Sequence, residues 1–508
     1  MLKIHTMKQL LNDIISPVLR SRIKKTEYFR DHPLKTQDEV FRNLIKSGSD
    51  TSFGREHGFA GIKNAADFAL NVPVRRYEDF FPYIERCLKG EGNVLWNTPI
   101  RHFSKSSGTT NAQSKFIPIS RESLHGCHFK AAYDLVTVYL SNHRDSRMFA
   151  GKSLRLGGSL QKDGGTGAKC GDLSAILMSN TPKWADMCST PPRNTALLAD
   201  WNEKLPRMAE EVSRADVTTL AGVPSWMLVL LNKVLEVTEK DDITQVWPNL
   251  ELFMHGGINF APYKQLYEKV IPSDKMRYYE TYNASEGFFA FQDTPHSKDM
   301  LLLTDHGVFY EFVPMAELDR ESPRALTLGE VETGVNYAVV ISTNGGLWRY
   351  MIGDTVRFVS KDPYRIVITG RTKQFINAFG EELIVENADT ALGEACSATG
   401  AVIREYTAGP VFMGQEEKGA HEWIIEFAVA PSDMETFTDV LDEGLKKLNS
   451  DYRAKRYIDI TLRRPIVHAA PDGLFYRWMG SRGKLGGQNK VPRLANSRDY
   501  LDGLLGMM

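Results

Sequence analysis

Residues 215–237 read "ADVTTLAGVPSWMLVLLNKVLEV", and a second stretch, residues 249–257, reads "NLELFMHGG". Each opens with an apolar run of strand length. The first breaks at Gly222 and Pro224 into a helical-period segment, and the second breaks at Gly256 and Gly257 ahead of "APYKQLYEKV" (261–270). Buried strand, turn and helix, repeated in succession, is the pattern of parallel α/β units.

On either side of these two stretches, strands and helices alternate from about 120 to 300. Residues 1 to about 95 are mainly helical: "QDEVFRNLIKSG" carries Val40, Phe41, Leu44 and Ile45 at one-face spacing, with Gly48 as a stop. Residues 96–120 turn extended, and 300–370 are β-rich ("GVFYEFVP", "NYAVVIST", "YRIVITG"). Beyond that lies a smaller α+β stretch with "HEWIIEFAVA" and "METFTDVLDEGLKKLNSDY". The glycine-rich basic tail "YRWMGSRGKLGGQNKVPRL" (476–494) is expected to be a loop. The expectation is an α/β protein in two domains. Residues 1–375 form a large domain with mixed sheets and a β-barrel-like part, and residues 376–508 a small α+β domain.

A chain of 508 residues exceeds what one core usually serves. The 62 Lys and Arg against 63 Asp and Glu leave a net charge of -1, which argues against a general nucleic-acid binder. Lys3, Lys8, Asp13, Arg20 and Arg22 interrupt the apolar N-terminal rhythm, so no targeting segment is expected. The longest uncharged stretch, between Asp216 and Lys233, falls short of the roughly 20 residues of a membrane span and contains Pro224. Cys87, Cys127, Cys170, Cys188 and Cys396 are scattered, without a CxxC pair, so neither a disulfide framework nor a zinc site is indicated. A cytoplasmic protein is expected; the oligomeric state is unknown from sequence.

Three stretches carry chemistry. "SKSSGTTNAQSKFIP" (104–118) sets Gly108 among Ser106, Ser107, Thr109 and Thr110, between two extended segments, with Lys115 at the far end. Inward amides and hydroxyls at such a turn suit an anion, although the P-loop spacing is absent. "GSRGKLGG" fails that spacing too, because Leu485 stands where Ser or Thr is needed. "YYETYNASEGFFAFQ" (278–292) places a lone Glu286 among aromatics. A carboxylate there is costly unless paired or bound to a cation, and near phosphates it is a natural Mg²⁺ ligand. "GLWRYMIGDTVRF" (346–358) ends an extended run at Gly353 and Asp354, where a carboxylate can accept from a vicinal diol. A solvated hairpin, a salt-bridged glutamate and a plain turn fit the same three stretches one at a time.

In order, S-S-G-T-T-x-x-x-S-K, Y-x-x-S-E-G and R-Y-x-x-G-D resemble the motif series of the auxin-responsive acyl acid–amido synthetases (the Gretchen Hagen family) and their bacterial relatives. That family belongs to the adenylate-forming superfamily of firefly luciferase and the acyl-CoA synthetases. "VFRNLIKSGSDTSFGREHGF", "VPVRRYEDFFPYIER", "GVFYEFVP" and "GGQNKVPR" extend the likeness over most of the chain. The resemblance implies that Ser106, Ser107, Gly108, Thr109 and Thr110, with Lys115, bind ATP phosphates. It implies that Tyr282 lies against adenine beside Ser285, Gly256 and Gly257, that Glu286 holds Mg²⁺, and that Asp354 binds the ribose. Arg371 of "TGRTK" matches a nucleotide-contacting arginine, Lys373 falls near an interdomain hinge, and Lys490 would reach the α-phosphate from a mobile small domain. Two departures, Ala112 where plant members usually have glycine and Asn283 after the motif tyrosine, bear on rate and nucleotide selectivity rather than on chemistry.

The implied reaction adenylates a small carboxylic acid with ATP and passes the acyl group to an amine, expected to be an amino acid. An acyl-CoA ligase would share the first half-reaction, and a non-catalytic nucleotide-binding module would not require Glu286, Asp354 and Lys490 together. Val223 and Trp226 of "GVPSWM" are candidates for the acyl pocket, against the simpler reading of Trp226 as core. The histidines of "HGCH" (125–128) read as packing or surface rather than metal ligands.

Overall fold

The computed structural model describes residues 12–508 apart from 107–114, 163–167, 258–259, 319, 321–322, 373–374, 377, 379–380, 382, 413–417, 457–461, 486–490 and 496. The described residues fall into two compact units. One lies within Met1–Ile258, Val270–Ile352 and Val356–Val367, the other within Asn259–Lys269, Gly353–Thr355 and Ile368–Met508.

The strands of the first unit, in chain order, begin with β1 (His102–Ser106), β2 (Lys115–Ile119), β3 (Lys152–Arg155), β4 (Leu160–Lys162), β5 (Lys169–Gly171) and β6 (Ser189–Thr190). There follow β7 (Val217–Gly222), β8 (Leu252–Gly256), β9 (Arg277–Ala284), β10 (Gly287–Phe291) and β11 (Met300–Leu302). The β-rich stretch supplies β12 (Val308–Pro314), β13 (Leu326–Thr327), β14 (Asn336–Thr343), β15 (Tyr350–Lys361) and β16 (Tyr364–Arg371), of which β15 gives Gly353–Thr355 and β16 its residues from Ile368 onward to the second unit. A four-stranded sheet has the order β2-β1-β5-β4. A twelve-stranded sheet runs β13-β12-β14-β15-β16-β11-β10-β9-β8-β7-β3-β6, so the 300–370 stretch continues the sheet that the α/β units begin. Neighbours in the run β9-β8-β7-β3-β6 pair in parallel, as the strand–helix alternation predicts.

The N-terminal helices pack on this unit through the apolar faces legible in sequence. Pro33–Gly48 buries Val40, Phe41, Leu44 and Ile45. Gly48 does more than end that helix: a Cβ there would lie 2.6 Å from the Trp348 ring. Trp348 is fully buried, meets Phe59 edge-on at 4.8 Å and donates from its indole nitrogen to the Leu95 carbonyl at 3.1 Å.

The second unit contains the short hairpin β17 (Phe375–Ile376) and β18 (Leu383–Ile384), then the helix Val385–Thr399. Strands β19 (Val402–Val411), β20 (Ala420–Val429) and β21 (Ile466–Ala470) form its sheet. The helices Val385–Thr399 and Met434–Leu448 contribute Leu392, Ala395, Phe437 and Leu441 to the same core as Trp423 and Ile425. Contrary to the sequence expectation, 476–494 is not a loop throughout. Leu474–Ser481 is a helix that buries Leu474, Phe475 and Trp478, and the Arg482 guanidinium covers the Trp478 ring at 4.5 Å. The aromatic spacing outweighs the glycines beyond it.

Candidate active site

Five parallel strands end on one edge of the large sheet, the edge where open α/β sheets bind ligands. Their carboxyl ends bring Arg155, Thr190, Gly222, Gly256 and the turn after Ala284 to that edge. Gly256 pairs with Thr281, and a Cβ at Gly256 would stand 2.4 Å from the Thr281 carbonyl oxygen, so the two strands require glycine there. Gly257 has φ +86, the left-handed region that favours glycine. Both glycines therefore shape the edge first of all. His255 beside them is buried, and desolvation pushes its imidazole down to about 3.

The hydroxyl-rich and glutamate motifs meet in space. In the β1–β2 hairpin Ser106 stands opposite Lys115, so the strands frame residues 107–114. Ser107, Gly108, Thr109 and Thr110 lie outside the described residues. From the adjoining strand, the buried Ser104 hydroxyl donates to the Ser285 hydroxyl at 2.8 Å across 181 positions of sequence. Ser285 and Glu286 form the two-residue turn between β9 and β10, closed by the pair Ala284–Gly287. Ser285 is buried and Glu286 half-buried. The Lys115 ammonium lies 5.4 Å from the Tyr77 ring centre, and the Phe116 amide donates to the Tyr77 hydroxyl at 2.8 Å. Tyr282 is 5% exposed, its ring edge-on to Phe289 at 4.9 Å.

A π-helical turn, Leu124–Phe129, supports this hairpin from behind. The Phe288 amide donates to the Cys127 sulfur at 3.2 Å, and burial pushes that thiol up to about 12. Burial pushes the His128 imidazole down to about 4. Thus "HGCH" packs against the motif hairpin. Among the described residues no group of three or more His, Cys, Asp and Glu is placed to hold a metal.

Gly353 and Asp354 do not end an extended run as their sequence suggests: both lie inside β15, where Gly353, in the second unit, takes φ +88 and its carbonyl accepts from the Thr372 amide at 2.7 Å. The Arg371 guanidinium meets the Asp354 carboxylate at 2.8 Å, so these two predicted residues are partners, with side chains 40% and 16% exposed. Lys373 and Lys490 lie outside the described residues. The chain just past Lys490 is firmly held: Ala408 donates to the Arg493 carbonyl at 2.8 Å, and the buried Arg493 guanidinium meets Asp389 at 2.6 Å and covers Tyr406 at 4.9 Å.

Of the two acyl-pocket candidates, Val223 caps the helix Pro224–Thr238, and Trp226 is 3% exposed, edge-on to Trp201 at 5.0 Å. Sequence reasoning passed over Ser104, Cys127 and Arg493. It also left Arg349 of "WRYMIGD" without a role. Arg349 is buried, forms a two-pronged pair with Glu311 at 2.9 and 3.1 Å, and donates to the Val72 carbonyl at 2.6 Å. The positive φ of 47 at Arg349 is a local irregularity that the residue pattern alone does not signal.

Comparison with known proteins adds three matches to family descriptions. They are the GH3 family N-terminal domain over residues 22–276, the GH3 family central domain over 301–371 and the GH3 family C-terminal domain over 386–499. The chain is 23% identical over 548 residues to indole-3-acetic acid-amido synthetase GH3.3 of Arabidopsis thaliana, covering 90% of this chain and 88% of that protein. Its fold matches the solved structure of AtGH3.15 acyl acid amido synthetase in complex with 2,4-DB, with TM-score 0.80, 18% identity and 96% of each chain covered. It also matches 2-hydroxyisobutyryl-CoA ligase in its postadenylation state with R3-HIB-AMP, with TM-score 0.59, 14% identity and 94% of each chain covered.

Proposed function

Because this chain belongs to the GH3 family, we propose that it is an ATP-dependent acyl acid–amido synthetase. It joins a small carboxylic acid to an amine, an amino acid, through an acyl-adenylate. The names of its relatives support the amide-forming reading over a thioester-forming one. The geometric observation that carries it is the buried Ser104–Ser285 bond, which draws the hydroxyl-rich hairpin and the Glu286 turn together at the carboxyl edge of the sheet.

In the first half-reaction the acid's carboxylate oxygen attacks the α-phosphorus of ATP and pyrophosphate leaves. In the second the amine attacks the acyl carbon, AMP leaves and the nitrogen loses a proton. Neither step needs a side-chain nucleophile. The site has to place donors and cations where charge develops. The burial that holds Cys127 as a thiol agrees with that, since the sulfur nearest the motif hairpin is inert. Ser106, Ser107, Gly108, Thr109, Thr110 and Lys115 are assigned to the phosphates. Tyr282, Ser285, Gly256 and Gly257 are assigned to the adenosine end, together with Asp354 and its partner Arg371. A divalent cation fits a site with a single carboxylate, because Mg²⁺ is commonly held by one or two carboxylates plus phosphate oxygens and water. Glu286 would hold it, and it would neutralise phosphate charge. Lys490 is assigned to the α-phosphate and Lys373 to the hinge of a mobile residue 376–508 domain.

The test is carboxylate-dependent exchange of labelled pyrophosphate into ATP over aryl, indole and aliphatic acids, followed by product analysis with amino acids or CoA as acceptor. Exchange with one acid class and an amide product is the expected result. A thioester product instead would replace the proposal with acyl-CoA ligation. Lys490→Ala should keep ATP binding and lose exchange; full exchange in that variant refutes the lysine's role.

A further inference from the structure

The outer end of the same sheet edge holds a cavity of about 350 Å³ bounded by Arg155, Lys183, Asp186 and Arg193, with Met178 and Pro191 in its apolar wall. Its charged lining is three cations against one carboxylate. Asp186 meets Arg193 at 2.5 Å and Arg155 at 3.9 Å, so one acid is shared between two guanidinium groups. Both arginines are held in place from behind. Arg155 donates to the Ala185 carbonyl at 3.1 Å, and Arg193 to the Ser179 and Thr181 carbonyls at 3.2 and 3.1 Å. The Nε of Arg193 is buried without a hydrogen-bond partner among the described residues. Arg155 and Arg193, with side chains 24% and 35% exposed, and the exposed Lys183 outnumber the single carboxylate of the cavity, so the lining suits an anion, and a planar carboxylate matches a guanidinium fork.

Its position decides which carboxylate. Arg155 ends β3, which is three strand spacings from β9, or roughly 14 Å from the strand that leads to Glu286. An amino-acid acceptor must bring its amine to the acyl carbon beside the α-phosphate, and its carboxylate cannot also reach that far. The far end of an extended acid can. We propose that the Arg155–Lys183–Arg193 cavity binds the distal carboxylate of a dicarboxylic acyl substrate. The inference rests on the amido synthetase reading for its reaction but not for its binding.

Calorimetric titration of the full chain with sebacate and with decanoate, without nucleotide, tests binding directly. Sebacate should bind more tightly than decanoate. Arg193→Gln and the exposed-site variant Lys183→Glu should each weaken sebacate by about tenfold, the effect of losing one charge-assisted contact, and leave decanoate unchanged. In pyrophosphate exchange the sebacate-over-decanoate preference in kcat/KM should fall by the same factor. Equal binding of the two acids, or a preference that survives Lys183→Glu in a chain of unchanged melting temperature, overturns the site and leaves a surface ion-pair cluster. A raised KM for the amino acid with unchanged acid preference also overturns it, assigning the cavity to the acceptor. Arginine-dependent sebacate binding without exchange for any acid supports the site and refutes the amido synthetase reading.

Discussion

Replacing Ser104, Ser285 or both with alanine tests whether their hydroxyl pair is the joint between the two motif hairpins. The bond is 2.8 Å long, its donor is fully buried, and Ser285 is 4% exposed. A neutral bond of this kind contributes about 1 kcal/mol net, but removing one partner leaves the other hydroxyl buried and unsatisfied, at about 1–3 kcal/mol. Ser104→Ala and Ser285→Ala should therefore each destabilise the first unit by roughly 1–2 kcal/mol. The double variant removes both demands together and should cost little more than one single change. The coupling energy of the cycle is then about 1 kcal/mol. Urea unfolding gives the energies, and amide exchange followed by mass spectrometry shows whether β1 and the β9–β10 turn open together. With Glu286 acting as proposed, loosening the joint that holds its turn should also lower pyrophosphate exchange, by about tenfold or more in Ser285→Ala. Strictly additive costs, with the double variant equal to the sum of the singles, would refute the joint.

Local geometry sets three further outcomes. Gly256→Ala should lower the melting temperature by the equivalent of about 1–3 kcal/mol, because its Cβ would lie 2.4 Å from a backbone oxygen that cannot move without shifting β9. Arg371→Ala should leave stability within about 1 kcal/mol, since the pair with Asp354 is partly exposed, yet raise the KM for ATP; unchanged KM removes Arg371 from the nucleotide site. His128, driven down to about 4 by burial, makes the unfolded chain bind more protons between that value and its ordinary 6.5 or so. Its contribution is present above pH 6.5 and lost as pH falls through about 4. His128→Asn should flatten the melting temperature over that window, and an identical pH profile in the variant would refute the assignment.

The parts of this protein that a reader can extract from sequence are those whose residue type has a local consequence. Gly353 lies inside β15, at φ +88, but Gly256-Gly257 mark a strand end because few other residues fit the backbone there, and the apolar runs on either side declare the alternating strand and helix. The Pro33–Gly48 helix is legible for the same reason. Ser104 has no such signature. It is an ordinary strand residue until folding places Ser285 against it. Arg349 sits inside a motif, but its partner Glu311 stands 38 positions away in β12, so its structural role is a property of the fold. The tail misled in the opposite direction. Its glycines and basic residues dominate a composition reading, whereas Leu474, Phe475 and Trp478 decide the outcome by meeting on one face.

A reaction that proceeds by placement explains why the candidate site is built from such unassuming groups. Glycines at strand ends, paired serines and single carboxylates do no bond-making themselves, so each matters only through where the sheet holds it. This predicts an overlap between stability and activity that a nucleophilic enzyme would not show. In a nucleophilic site, removing the nucleophile destroys the reaction and leaves the fold intact. Here Gly256 is required by Thr281 before it can serve any ligand, and Ser285 is bonded to Ser104 before Glu286 is in position. Asp354 and Arg371 are the exception. Their pairing is partly exposed, so if they bind the nucleotide as proposed, changing them should lower activity with little change in stability.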